Sequence, residues 1–347
     1  MSAPPDSPHG PRFERQERFA PLGPAGQRRL GEARVLIVGC GALGGVLAQT
    51  LARAGVGELV LVDRDVVELS NLPRQVLFEE RHAAAGLPKV EAAAESLARI
   101  GGPTRLETHG LHLDAGNVRG LARGAALVLD GSDNLATRYL LNDFCVESAL
   151  PWVYGGVVGS EGLVLAVLPG RGPCLRCLFP DPPPAGSLAT CDSAGVILPA
   201  VGAVASLQAG LALRLLAGGV DAAPPPALLA VDAWEGGLRR VPAPRDPDCP
   251  ACGRGEFPFL LQPGGREPVV LCGRNTVQVF GAAGEIDLEA LSSTLAGWAG
   301  EVRRTASFLR LTVAGHRLTV FADGRTLVEG TEDPDRARAL CDRVLGA

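Results

Sequence analysis

The sequence lacks any surplus of positive charge. Thirty-three Lys and Arg stand against 38 Asp and Glu, for a formal net charge of -5 over 347 residues. Such a chain has no basic field to draw it onto nucleic acid or anionic lipid, so neither nucleic acid nor a membrane is expected as a partner. The opening MSAPPDSPHG lacks the basic segment and continuous apolar run of a secretory leader, which leads to the expectation of a reducing, cytoplasmic compartment. There, nine cysteines are expected to bind metal or do chemistry rather than form a disulfide framework. The five histidines show no ligand spacing, and no internal repeat is present. One stretch, 194–216, is apolar enough to raise a membrane span; Pro199 and Gln208 inside it, and the lack of a second such stretch, favour a buried core helix.

The content is that of a globular chain, 46% hydrophobic and 20% charged, long enough for one large domain and a small one. Residues 1–11 are Pro-rich and read as a disordered tail, followed by a short helical arm over 12–31. From Arg34-Val-Leu-Ile-Val-Gly39 onward, apolar strand runs alternate with helical segments: a strand over 58–63, helices over 89–100 and 136–150, and a strand over 126–130. Alternation of this kind predicts an α/β, Rossmann-like, doubly wound and mostly parallel sheet covered by helices on both faces. Two apolar runs joined around Gly159-Ser-Glu-Gly162 predict an antiparallel extension, and 227–232 a further strand. The expected organisation is a main domain over 12–253, a linker over 254–267 and a small α+β domain over 268–347.

Gly39-Cys-Gly41-Ala-Leu-Gly44 lies between a predicted strand and a predicted helix, and Asp63 ends the next strand. Glycines there allow a tight turn and let backbone N–H groups approach phosphate at a helix N-terminus, while the acidic residue suits ribose hydroxyls. NAD, FAD and adenosine phosphates all fit such a site. Charge separates them, because ATP meeting a carboxylate nucleophile needs cations close to its phosphates. Candidates follow in order: Asn71-Leu-Pro-Arg74-Gln75, then Lys89, then Asp130-Gly-Ser-Asp133-Asn134 at the C-terminal end of a strand. Taken singly, Arg74 and Lys89 read as surface charges and Asp133 as a turn-former or helix cap.

Cys174-Leu-Arg-Cys177 and Cys249-Pro-Ala-Cys252 are two matched knuckles with the spacing of a closed, structural Zn²⁺ site. A redox pair fits less well, since the second knuckle sits in a Pro-rich loop rather than opening a helix. Cys40, Cys145, Cys272 and Cys341 have no partner at metal spacing and read as small buried residues.

With these residues in order, 12–252 resembles the ThiF/MoeB/HesA adenylyltransferases that activate sulfur carriers, and the adenylation domains of ubiquitin-activating enzymes. The resemblance rests on Arg12-Phe-Glu-Arg15-Gln16, the glycine motif, Asp63, Ser70-Asn71-Leu-Pro-Arg74-Gln75, Lys89, Ser132-Asp133-Asn134 and both cysteine pairs; it departs at Ala42 and Pro73, neither of which removes a charge. The resemblance implies ATP and Mg²⁺ as cofactors, Asp63 on the ribose, Arg74 and Lys89 on the phosphates, Asn71 on phosphate or metal, and Asp133 on Mg²⁺. It implies that Arg15 reaches the ATP site of a second copy in a homodimer. The implied reaction is adenylation of the C-terminal glycine of a ubiquitin-like sulfur carrier ending in Gly-Gly. Activation of a peptide or small carboxylate, a noncatalytic zinc-bound scaffold for a ubiquitin-like protein, and a nicotinamide-dependent oxidoreductase are the alternatives. Cys191, in the segment before the long apolar stretch, matches a cysteine that is a covalent acyl acceptor in some members and dispensable in others. The 268–347 domain does not resemble the sulfurtransferase domain of some members.

Overall fold

The computed structural model describes residues 10–183, 191–261, 268–271, 275–281, 286–295, 297, 302–305 and 308–346. Residues 1–9 of the expected tail, 262–267 of the expected linker, and Cys272 lie outside them. The chain divides into Met1–Pro263 and Gly264–Ala347.

The first unit is built on an eight-stranded sheet: β1 Arg34–Val38, β2 Glu58–Val62, β3 Arg105–His109, β4 Leu127–Asp130, β5 Trp152–Val158, β6 Glu161–Val167, β7 Ala227–Asp232 and β8 Gly237–Pro242. Their order is β3-β2-β1-β4-β5-β6-β7-β8. Pairing is parallel from β3 to β5 and antiparallel from β5 to β8, as the alternation and the glycine hairpin predict. Alternate residues of the central strands feed two cores. Val35, Ile37, Leu59, Leu61, Leu127 and Leu129 pack with the helices Ala42–Ala54, Lys89–Ile100 and Leu198–Gly218. Leu36, Val38, Val60, Val62 and Val128 pack on the other face with Val118–Leu121 and Leu135–Glu147. Burial of both faces is why β1, β2 and β4 read as continuous apolar runs.

The hydrophobic pattern does not mark β3 (Arg-Leu-Glu-Thr-His) or β8 (Gly-Leu-Arg-Arg-Val-Pro). Both are edge strands, where polar and charged residues are tolerated and Pro242 costs little. The apolar stretch expected over 194–216 is a helix only from Leu198, with a separate short helix at Cys191–Ala194. Pro199 sets that start, since a residue without an N–H is accommodated in the first turn. Among the described residues this is the one helix long and apolar enough to cross a membrane; its Ala200, Val201, Val204, Ala205, Ala209 and Ala212 are buried in the core of the unit. In the stretch read as a linker, Pro258–Leu261 forms a helical turn.

Strand order reverses between β1 and β4, so their C-terminal ends open the crevice in which sheets of this class bind ligands.

The second unit is a six-stranded antiparallel sheet of β9 Val269–Leu271, β10 Thr276–Phe280, β11 Arg303–Arg304, β12 Phe308–Val313, β13 His316–Phe321 and β14 Arg325–Glu329, in the order β11-β12-β13-β14-β10-β9. Val277, Val279, Leu309, Leu311, Leu318, Val320 and Val328 share a core with the helices Leu288–Leu295 and Pro334–Leu345. Asp333 starts the last helix by accepting from Asp335 N and Arg336 N ahead of Pro334.

Candidate active site

Three glycines interlock at the crevice. Gly39 has φ 89°, and a Cβ there would lie 2.6 Å from the Gly131 carbonyl oxygen. A Cβ on Gly131 would lie 2.7 Å from Gly44 Cα, and one on Gly44 only 1.8 Å from the Gly39 oxygen. No side chain fits at any of the three, so the loop after β1 and the loop after β4 are in backbone contact. The helix Ala42–Ala54 starts there, and the N–H groups of its first turn have no partner within the helix. Gln75 covers this turn: its Nε2 would be 3.6 Å from a Cβ on Gly41. Gln75 is buried, and its Oε1 has no hydrogen-bond partner among the described residues. Gly131 has no role in the sequence reading beyond its place in the Asp130–Asn134 run; its only local signal is a glycine directly after a buried strand.

Asp63 directly follows β2, with both carboxylate oxygens engaged by backbone. Oδ2 accepts from Cys40 N at 2.7 Å and Oδ1 from Asp65 N at 2.7 Å. Each oxygen retains acceptor capacity for a ribose hydroxyl. Burial pushes the Asp63 carboxyl up from its ordinary range, the Lys89 ammonium acts against that, and the Asp65 charge adds to it. Lys89 opens the helix Lys89–Ile100 and is 3% exposed, so its charge needs a fixed partner. Its Nζ donates to Asp65 Oδ2 at 2.9 Å, and its backbone N donates to the Asp65 oxygen at 2.8 Å. The structure therefore brings Lys89 and Asp63 together through Asp65, a residue to which the sequence reading gives no role.

The remaining candidates fall as follows. Arg74 is half-buried just before Gln75, with one guanidinium nitrogen donating to the Ser70 carbonyl at 2.8 Å. Asn71 is buried, and its Oδ1 accepts from Glu68 N at 3.0 Å, closing the short 3-10 turn Leu69–Asn71. Asn134 caps the helix Leu135–Glu147 by accepting from Thr137 N at 2.8 Å, so the cap is Asn134 rather than Asp133. Asp133 is exposed in the loop after β4, where its charge acts on Arg138. Arg15 is exposed on the short helix Glu14–Glu17, away in sequence from the strand-end loops. Cys191 opens the helix Cys191–Ala194, and its side chain lies outside what is described.

Beneath the loop after β4 is a buried ion pair that the sequence does not announce. Asp130 Oδ1 accepts from Ser132 N at 2.9 Å and Ser132 Oγ at 2.6 Å, and Oδ2 accepts from Arg138 Nε at 3.2 Å. Arg138 also donates to the Ser132 carbonyl at 2.9 Å and lies 5.3 Å from the centre of the Tyr154 ring. Burial pushes the Asp130 carboxyl up; Arg138 and the two Ser132 donors act against it. The pair holds the backbone from which Asp133 projects.

The two knuckles meet in space. The four sulfurs of Cys174, Cys177, Cys249 and Cys252 all lie within 4.8 Å of one another. Cys174 Sγ is 3.9 Å from Cys177, 3.5 Å from Cys249, and Cys177 is 3.4 Å from Cys252. A tetrahedron with metal–sulfur bonds of about 2.3 Å has edges of roughly 3.8 Å, so the donor set and its span fit Zn²⁺. Burial pushes the Cys174 thiol up, and the Cys177 thiol to about 11. A dication held by the four sulfurs would supply the charge that ionises them. The cluster is anchored on the helix Leu135–Glu147: Asn142 Oδ1 accepts from Leu175 N at 2.8 Å, and buried Arg176 reaches Asp143 at 3.3 Å.

Comparison with known proteins agrees with this architecture. Residues 13–251 match the ThiF family. The chain is 42% identical over 340 residues to the sulfur carrier protein ThiS adenylyltransferase of Bacillus subtilis (strain 168), covering 96% of this chain and 99% of that one. It is 41% identical over 249 residues to the sulfur carrier protein adenylyltransferase of Thermus thermophilus, covering 70% and 90% of the two chains. The crystal structure of E. coli MccB with ATP superposes with a TM-score of 0.61 at 21% identity, over 72% of this chain and 76% of that one, a likeness of fold.

Proposed function

The chain belongs to the ThiF family, and on that footing we propose that it is an ATP-dependent adenylyltransferase acting on the C-terminal glycine carboxylate of a ubiquitin-like sulfur-carrier protein. The observation that carries this reading is the buried Lys89, fixed by Asp65 beside the carboxylate of Asp63 and the glycine turn. A dinucleotide oxidoreductase has no task for a buried cation at that point. A triphosphate under attack by a carboxylate does.

In this reading Asp63 holds the ribose, and the first turn of Ala42–Ala54 faces the phosphates together with Gln75, Arg74 and Lys89. A carrier carboxylate oxygen attacks the α-phosphorus. A carboxyl–phosphorus bond forms as the bond from that phosphorus to the bridging oxygen breaks, and pyrophosphate leaves with the electron pair. The carboxylate is already ionised near neutral pH, so no general base is required and the chain's part is positioning and charge stabilisation. Asp133 would hold Mg²⁺, with Asn71 on phosphate or metal, and the ion would supply further charge neutralisation at the phosphates. Arg15 of a second copy completes the cation set, which makes the active form a homodimer. Cys174, Cys177, Cys249 and Cys252 would hold Zn²⁺, which would tie the loop after β6 to the loop after β8. Cys191 is the candidate acceptor for the activated acyl group. The acidic composition supports an enzyme working without nucleic acid or an anionic membrane surface.

Exchange of labelled pyrophosphate into ATP tests the proposal. It is expected only when a carrier ending in Gly-Gly is present; equal exchange with a short diglycine peptide would shift the substrate to small carboxylates, and none with any carrier would leave a scaffold.

A further inference from the structure

The helix Leu198–Gly218 buries alanine, valine and leucine, with one polar exception, Gln208, which is fully buried. A primary amide in such surroundings is costly unless bonded; Oε1 has no hydrogen-bond partner among the described residues, so it is the partners of Nε2 that indicate its task. Gln208 Nε2 donates to the Asp130 carbonyl at 2.8 Å and to the Val153 carbonyl at 3.3 Å. These carbonyls end the parallel pairing of β4 and β5, which is confined to Val128 with Trp152 and Leu129 with Val153. Beyond it the strands part, and one amide spans the gap with its two N–H groups. The fit requires Gly155 on β5, where a Cβ would lie 2.4 Å from the amide atoms of Gln208. From the other face Arg138 spans the same gap, to the Asp130 carboxylate and to the Gly155 carbonyl, each at 3.2 Å.

We propose that Gln208 is a positioning residue for the metal-binding loop. By clamping the last carbonyl of β4 it sets where the loop from Gly131 to Asp133 leaves the sheet, and so where the Asp133 carboxylate meets the cation bound with the nucleotide. This rests on the reading of Asp133 as the Mg²⁺ ligand. Gln208 reaches the site through Asp130, whereas Asp63 follows β2 and Lys89 opens a different helix. Its loss therefore weakens the metal-dependent part of nucleotide binding more than the metal-free part.

The test is calorimetry of ATP binding with and without Mg²⁺, with Mn²⁺ bound to the enzyme–ATP complex read by electron paramagnetic resonance. The parent protein binds ATP more tightly with Mg²⁺; if it does not, the metal reading itself fails. Gln208→Met keeps the side chain's bulk and removes both donors, and the gain from Mg²⁺ is expected to fall about tenfold while metal-free affinity stays within about twofold. In Gln208→Glu the buried carboxyl, facing two carbonyls, stays protonated well above its usual range and donates an O–H, so the Mg²⁺ gain persists at about pH 6 and fades toward about pH 9. A parent-like Mg²⁺ gain in Gln208→Met overturns the proposal. So does a Gln208→Glu protein whose Mg²⁺ gain follows the parent at every pH, and this series decides the matter if Gln208→Met does not fold.

Discussion

Lys89 Nζ and Asp65 Oδ2 form an ion pair of 2.9 Å, and the backbone N–H of the same Asp65 binds Asp63 at 2.7 Å. The cation assigned to phosphate and the carboxylate assigned to ribose are thus joined through one residue. Lys89→Ala is expected to lower carrier-dependent pyrophosphate exchange by about 100-fold or more, the size of effect seen when a preorganised charge donor is removed. A Lys89→Ala protein with parent rates would remove that lysine from the chemistry.

The contact of Gly131 with Gly44 and Gly39 makes a second prediction. Gly131→Ala forces a methyl into backbone 2.7 Å away, and overpacking of this kind costs roughly 1–3 kcal/mol. Thermal unfolding should show the loss, together with weaker ATP binding. Gly120→Ala is the control: nothing lies within 4 Å of a Cβ there, and its melting temperature should not fall. Equal behaviour of the two variants would contradict the packing described.

How far the sequence announces these features follows from where each feature is encoded. The runs of β1, β2 and β4 are legible because both faces of those strands are buried; β3 and β8 are not, because an edge strand is free to be polar. The glycine motif, Lys89 and the cysteine pairs are visible as residue types at telling spacings. Asp65, Gly131, Arg138 and Gln208 are single residues whose roles exist only through tertiary contact: a side chain reaching a carbonyl on another strand leaves no mark in the local pattern. The start of the long helix at Leu198 is legible in retrospect from Pro199.

Sulfur separations of 3.4 to 3.9 Å are far from the roughly 2.05 Å of a disulfide, so the cysteine cluster predicts a metal-loaded protein. Elemental analysis of purified protein should find zinc. Stripping with a chelator, or Cys174→Ser, should lower the melting temperature, and zinc addition should restore the stripped parent only. A metal-free protein of unchanged stability would sink the structural-zinc assignment.

His82 gives a pH dependence. It is buried; Nδ1 accepts from Glu79 N at 3.1 Å, and Nε2 lies 3.4 Å from Glu95 without a hydrogen bond. Burial holds the imidazole below its ordinary range, with Arg81 adding to the effect and Glu95 opposing it. The unfolded chain then takes up a proton near pH 6.5 before the folded one does, so stability present above that pH is lost as pH falls. Melting temperatures between about pH 7 and about pH 5 should drop more steeply for the parent than for His82→Gln. Parallel curves would show that His82 does not titrate differently on folding.

As proposed, the strand-end site makes a protein carboxylate into a mixed anhydride with AMP. Intact-mass spectrometry of a diglycine-ending sulfur carrier, incubated with this protein, Mg²⁺-ATP and pyrophosphatase, reads that product directly. A carrier heavier by one adenylate with the parent protein, and unmodified with Lys89→Ala, is the predicted result. An unmodified carrier in the presence of parent protein that binds ATP would show that this site does not adenylate a carrier.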